Sequence, residues 1–129
     1  MCWGWDDDGE SSPPEGTFTD VSAGGYHTCA LDESGDIECW GYDNSGQSSL
    51  PEGTFTDVSA GFYHTCAYNE SGDIECWGRD DYGQSSPPEG TFTDVSTGGN
   101  HTCAVDESGS IECWGNDDNG QSSPPEGTF

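Results

Sequence analysis

A strict 37-residue period, a hairpin with opposed cysteines in each period, and no helical periodicity predict an all-β chain of small repeated sheets. The motif CWG begins at Cys2, Cys39, Cys76 and Cys113, and SSxPEGTF begins at Ser11, Ser48, Ser85 and Ser122. HTCA begins at His27, His64 and His101. The chain therefore divides into a half-repeat, 1–18, and three full repeats, 19–55, 56–92 and 93–129, in one continuous repeat domain. The first two full repeats agree at 30 of 37 positions.

Within the first full repeat, Thr17 to Ala23 alternates apolar and polar residues, as a half-buried strand does. Gly24-Gly25 turns the chain. Tyr26 to Leu31 and Asp36 to Gly41 then form a hairpin about Glu33-Ser34-Gly35, where glycine takes a positive φ without steric penalty. The hairpin is symmetric about Ser34, so Leu31 faces Ile37 and Cys29 faces Cys39. Directly opposed Cα atoms lie roughly 4.5–5.5 Å apart, within reach of a disulfide. The same reading pairs Cys66 with Cys76 and Cys103 with Cys113; the competing reading is buried, reduced thiols. Cys2 would need a partner from an HTC strand ahead of residue 1, so it is expected to be unpaired or intermolecular. A polar loop, Tyr42 to Gln47, follows, and Ser48 to Gly53 has room for one short edge strand because proline cannot donate to a central ladder. One such unit buries too little surface to stand alone, so units must pack side by side. A period near 40 with a small sheet and a Trp-Gly signature is the pattern of radial β-propeller blades.

Only 29% of the 129 residues are hydrophobic, and the net charge is −25 with Arg79 as the single basic residue. That balance alone would suggest disorder. Five each of Trp, Tyr and Phe at regular positions, with seven cysteines, argue instead for specified contacts. The acidic surface repels nucleic acid and anionic membranes, which excludes both as partners. It also suits a protein that stays hydrated in concentrated salt, so a halophilic source is expected over an ordinary acidic protein. Strand-opposed cysteines point to an oxidising compartment, hence an extracellular or cell-surface protein. No signal peptide or transmembrane run is evident, and the sequence opens mid-repeat at Met1-Cys2-Trp3-Gly4, as a mature piece or an excerpt would.

HTCALDESGDIECWGYDNSGQ resembles the repeat of the regulator of chromosome condensation family, whose blades carry AxGxxH(S/T)xAL, a glycine turn and WGxNxxGQ. The short period and the GQSSxPxGxFTxVSAG connector look closest to secreted members of the beta-lactamase inhibitory protein II type. The resemblance covers the whole chain. It implies a seven-bladed propeller whose loops bind a protein partner. The chain departs from the family in carrying cysteines where an aliphatic and a small residue are usual, and in having about three and a half repeats, half of a seven-bladed ring. Two copies of the chain nearly match the length that seven blades need, so completion by self-association or by a longer parent chain is expected. An open arc exposes strand edges and blade faces, and a head-to-tail contact either closes into a ring or continues as a fibre.

Functional candidates follow from the same repeats. His27, His64 and His101 recur one per blade, too far apart to share a metal, and are expected to be hydrogen-bonded structural residues. There is no CxxC, and His27 and Cys29 stand at i, i+2 on a strand, so zinc is not expected. Acidic turns at Asp43, Asp80 and Asp117 offer hard oxygen ligands suited to calcium but lack the spacing and distal Glu of an EF-hand. They read as solvated turns, and no metal or cofactor is expected. Nucleophile–base spacing and phosphate loops are missing, so the chain is not expected to be an enzyme. The near-identical repeats differ mainly in three columns: Trp5, Tyr42, Arg79 and Asn116; Asp8, Ser45, Tyr82 and Asn119; and Gly25-Tyr26, Phe62-Tyr63 and Gly99-Asn100. These fall on loops and carry the aromatics and arginine that make interface hot spots. Trp5, Tyr42, Arg79, Asn116, Tyr82, Phe62, Tyr63 and Tyr26 are thus the predicted partner-binding residues, against a competing reading of neutral drift. The sequence predicts a protein-binding module, with a self-assembling structural repeat protein as the alternative.

Overall fold

A computed structural model describes residues 14–41, 53–80 and 83–116. Nine strands in these residues form three separate three-stranded antiparallel sheets, one per repeat. The first sheet is β1 (Phe18–Ala23), β2 (His27–Asp32) and β3 (Ile37–Gly41). The second is β4 (Asp57–Ala60), β5 (His64–Tyr68) and β6 (Ile74–Gly78), and the third is β7 (Phe92–Thr97), β8 (His101–Asp106) and β9 (Ile111–Gly115). Each sheet is ordered as in the sequence, with the HTC strand in the middle. The fourth strand considered at Ser48 to Gly53 falls almost wholly outside the described residues. Its equivalent, 85–90, carries no strand.

The hairpin register is the one the sequence symmetry requires. Leu31 pairs with Ile37 and Cys29 with Cys39, and the later blades repeat this with Cys66 and Cys76, Cys103 and Cys113. All three pairs are disulfide-bonded, with Cα atoms 4.1, 4.1 and 4.0 Å apart. That is the close spacing of a non-hydrogen-bonded antiparallel pair. At each hairpin tip an Asx turn does the bending. Asp32 Oδ1 accepts from the backbone N–H groups of Ser34 and Asp36, and Gly35 sits at φ 87°. Asn69 and Asp106 repeat the arrangement.

The hydrophobic core lies between blades. Cys29, Leu31 and Ile37 of the first sheet pack against Val58 and Ala67 of the second and against Phe55, just ahead of it. Cys66 of the second packs with Phe92, Val95 and Ala104 of the third, and Tyr68, Ile74 and Trp114 pack against this cluster. The apolar residues of the first, inner strands of the second and third sheets, β4 and β7, thus face the preceding blade. Backbone bonds lock the same contact: Phe55 N–H donates to Gly35 O at 2.7 Å and Phe92 N–H to Gly72 O at 2.8 Å. Each disulfide closes a ten-residue separation. Replacing Cys66 and Cys76 together by Ala is expected to lower the unfolding free energy by roughly 2–3 kcal/mol. Chemical denaturation reads this directly, and a midpoint unmoved by the double substitution would contradict it.

Candidate functional site

The turn between the first two strands of each blade builds the candidate surface. Gly24, Gly61 and Gly98 close it, their N–H groups donating to the carbonyls of His27, His64 and His101, each at 2.8 Å. The following two residues are thereby presented at one edge of the sheet. The third strand of the blade ends at that same edge, because His64 pairs with Gly78 and His101 with Gly115. Arg79 N–H donates to Tyr63 O at 2.8 Å, and Asn116 N–H to Asn100 O at 2.9 Å. Two of the three variable columns, distant in sequence, therefore meet on one face of the blades.

Four predicted contact residues come together there. The rings of Tyr26 and Tyr63 stack at 5.0 Å between centroids and 15° between planes, across the first blade junction. Phe62 meets Tyr26 edge-on at 6.3 Å. The Arg79 guanidinium lies 5.5 Å from the Tyr63 ring centroid, a cation–π distance. Phe62 remains 49% exposed and Tyr26 40% exposed, two of the three large hydrophobic side chains exposed among the described residues. The glycines of the third column make room for this. A Cβ on Gly25 would sit 2.6 Å from Phe62 Cδ1, and one on Gly99 would sit 3.3 Å from the same ring. Trp5, Tyr42 and Tyr82 lie outside the described residues.

Behind this face, the histidines bind neighbouring blades together. His27 Nε2 lies 2.6 Å from Thr65 Oγ1, and His64 Nε2 lies 2.9 Å from Thr102 Oγ1; all four side chains are buried. His27 and His64 are hydrogen-bonded, as the sequence suggested, but the bond runs between blades, which sequence reasoning missed. Its signal was the repeated HT dipeptide, which sets each His 38 residues before its threonine. Burial, and then repulsion from His27, holds the His64 imidazole down to about 4. Gln84 is another structural residue that was not singled out. Its carbonyl oxygen accepts from Thr102 Oγ1 at 3.1 Å and from Trp114 Nε1 at 3.0 Å.

Asp20, Asp57 and Asp94 occupy equivalent places on successive inner strands. Burial, a side-chain hydrogen bond with Asp20 and repulsion from Asp20 and Asp94 push the Asp57 carboxyl up to about 6. Of the acidic turns, Asp80 is engaged in its own loop, accepting from Ser85 N–H at 2.8 Å and Ser86 Oγ at 2.5 Å. Asp43, Asp117 and Cys2 lie outside the described residues. Among the described residues, no three His, Cys, Asp or Glu side chains gather as a metal site, and no helix is long and apolar enough to cross a membrane.

Three 30-residue segments, 18–47, 55–84 and 92–121, match the regulator of chromosome condensation (RCC1) repeat. The chain belongs to the RCC1 repeat family. Three RCC1 repeats, each folded as a three-stranded sheet packed on the next, make this chain part of a β-propeller. Solved structures agree. The CRINKLY WD40 ectodomain of the Arabidopsis thaliana receptor kinase ACR4 shares 31% identity at a TM-score of 0.67, over 77% of this chain and 37% of that one. The ectodomain of the Physcomitrella patens receptor kinase CR4 shares 29% identity at a TM-score of 0.75, over 88% and 32%. Yeast RCC1 (Prp20), solved bound to Kap60, shares the fold at 18% identity and a TM-score of 0.77, over 89% and 39%. The RCC1-repeat chain described here spans well under half the length of these structures. No curated protein sequence matches it significantly. Its three disulfides belong to an oxidising location.

Proposed function

We propose that this chain is a protein-binding propeller module, not an enzyme, and that Tyr26, Phe62, Tyr63 and Arg79 form its contact surface. The observation that carries the reading is their convergence: variable positions from separate repeats build one exposed aromatic ledge with an arginine laid over it. Rigid aromatics and arginine dominate binding energy at protein interfaces. Against a chain of net charge −25, the partner is a protein segment that pairs apolar side chains with basic ones. The same charge argues against nucleic acid or an anionic membrane as the partner. The buried, threonine-bonded His27 and His64 are poorly placed to act as catalytic bases, which supports the non-enzymatic reading. The disulfides and the resemblance to two receptor ectodomains support an extracellular or cell-surface setting, and the acidity supports a halophilic source.

Panning a random peptide display library on the immobilised chain is expected to enrich basic–apolar sequences. Tyr26→Ala with Phe62→Ala should then raise the Kd of the enriched peptides at least tenfold, and added salt should weaken them too. Enriched peptides that bind the double variant unchanged would sink the proposal.

A further inference from the structure

The triplet Asn-x-Ser/Thr, with no proline in the middle, occurs at two places, Asn69-Glu70-Ser71 and Asn100-His101-Thr102. It is the acceptor signal for N-linked glycosylation, a modification of exported chains, and the three disulfides point to the same oxidising route. The fold treats the two triplets differently. Thr102 is fully buried; its hydroxyl donates to Gln84 O at 3.1 Å and meets His64 Nε2 at 2.9 Å. The Asn100 Oδ1 beside it is buried too. A transferase reaches that triplet only by opening the blade junction.

Asn69-Glu70-Ser71 is the tip of the β5–β6 hairpin. Asn69 Oδ1 accepts from Ser71 N–H at 2.9 Å and Asp73 N–H at 3.1 Å, so the carbonyl side of the amide bends the turn. In the first and third blades Asp32 and Asp106 bend it with the same bonds. Asparagine therefore adds nothing to the turn; what it adds is a nitrogen with two protons. In the third blade the Ser108 hydroxyl is tied to Asp106 Oδ1 at 2.6 Å, whereas among the described residues Ser71 Oγ and Asn69 Nδ2 have no protein partner. Glu70 and Ser71 are exposed although a described blade packs on either side. In the third blade, whose connector 83–92 is described in full, Glu107 and Ser108 are exposed as well.

We propose that Asn69 is an N-glycosylation site and that the fold withholds Asn100. The sugar donor is an oligosaccharide activated as a phosphate ester of a lipid carrier, brought by a separate transferase. Asn69 Nδ2 attacks the anomeric carbon and a C–N bond forms. The bond from that carbon to the phosphate oxygen breaks, the phosphate leaves with the electron pair, and the amide gives one proton to a base of the transferase. The tip stands at the far end of the hairpin from the aromatic ledge, because His64 pairs with Gly78 at one end and Tyr68 with Ile74 at the other. A glycan there leaves Tyr63 and Arg79 uncovered, so the inference goes beyond the binding reading and does not need it.

The test is peptide mapping of the chain as its own cells make it. Chymotrypsin cuts after Tyr68, Trp77, Phe92 and Trp114, so fragments 69–77 and 93–114 report the two triplets separately. Fragment 69–77 is expected at a mass raised by a whole number of sugar residues, and 93–114 at its bare mass. Asn69→Asp and Ser71→Ala should each abolish the shift. The second is the sharper test, since Ser71 gives the turn only its backbone N–H. Asp32→Asn completes the triplet with Glu33 and Ser34 on the first blade and is expected to add a second glycan. The unreduced digest, with Cys66 and Cys76 still joined, shows that the same sample is folded and oxidised. With that bridge present, a bare 69–77, sugar on 93–114 in its place, a shift that survives Ser71→Ala, or no added glycan in Asp32→Asn would each overturn the proposal. Free Cys66 and Cys76 would overturn it together with the oxidising location.

Discussion

Gly61→Ala is expected to cost on the order of 3 kcal/mol or more, enough to unfold a chain held together by inter-blade contacts of modest size. The added Cβ would run into the His64 ring and would lie 2.6 Å from the Gly98 carbonyl oxygen. Neither neighbour yields easily. The imidazole is buried and tied to Thr102, and the carbonyl belongs to the backbone of the next blade. Shifting either one breaks the His–Thr bond or opens the junction, so the single methyl group is paid for twice. Gly83→Ala provides the control. Gly83 has φ +79°, but nothing lies within 4 Å of its Cβ position, so only backbone strain applies, about 1 kcal/mol. Urea denaturation of the two variants beside wild type separates the effects. Equal losses would show that the close approach of histidine to glycine is not what holds the blades.

That contact shows which parts of the molecule were legible in the sequence. The hairpin was, because strand alternation and a glycine turn fix which residues face each other. Cys29 opposite Cys39 follows from local symmetry alone, and the fold has it so. The strands themselves begin a residue later than the alternation suggested, at Phe18, His27 and Ile37, since pairing rather than pattern decides where a ladder starts. The variable columns were legible as loop positions. Their meeting was not, because Tyr26 and Tyr63 stack only when two blades are set side by side, and periodicity carries no information about the angle between them. The His27–Thr65 bond was hidden for the same reason. Its two halves lie on different blades, and an HT dipeptide read within one strand looks like two polar residues on opposite faces. The aspartate column is a third instance. Asp20, Asp57 and Asp94 each read as the polar position of a half-buried strand, and only the packing of inner strands brings carboxyl against carboxyl.

The stability of the chain is expected to depend on pH through two groups that act in opposite directions. His64 titrates near 4 in the folded chain against 6.5 when unfolded. The unfolded state therefore binds more protons below 6.5, and stability is complete above that value and lost as pH falls toward 4. Full protonation of the unfolded ring alone corresponds to roughly 3 kcal/mol. Asp57 titrates near 6 against 3.8. Here the folded state holds the extra proton, so its contribution is complete below 3.8 and lost as pH rises through 6. Its partial exposure screens the effect, which is reduced to about 1 kcal/mol. Between pH 4 and 6 the two slopes oppose each other, and the histidine dominates. Wild type should thus lose stability on acidification less steeply than Asp57→Asn, in which the compensating proton is gone. In His64→Gln the acid limb should flatten, whatever the absolute stability, because the histidine contribution is gone while the opposing one of Asp57 remains. Thermal unfolding across pH 4 to 7 at fixed high salt reads all three slopes. If Asp57→Asn follows the wild-type profile, the carboxyl does not share its proton with Asp20; if His64→Gln retains the full acid limb, the buried imidazole is not its origin. The two outcomes are independent, so the experiment tests separately the inter-blade histidine and the carboxylate column on the inner strands.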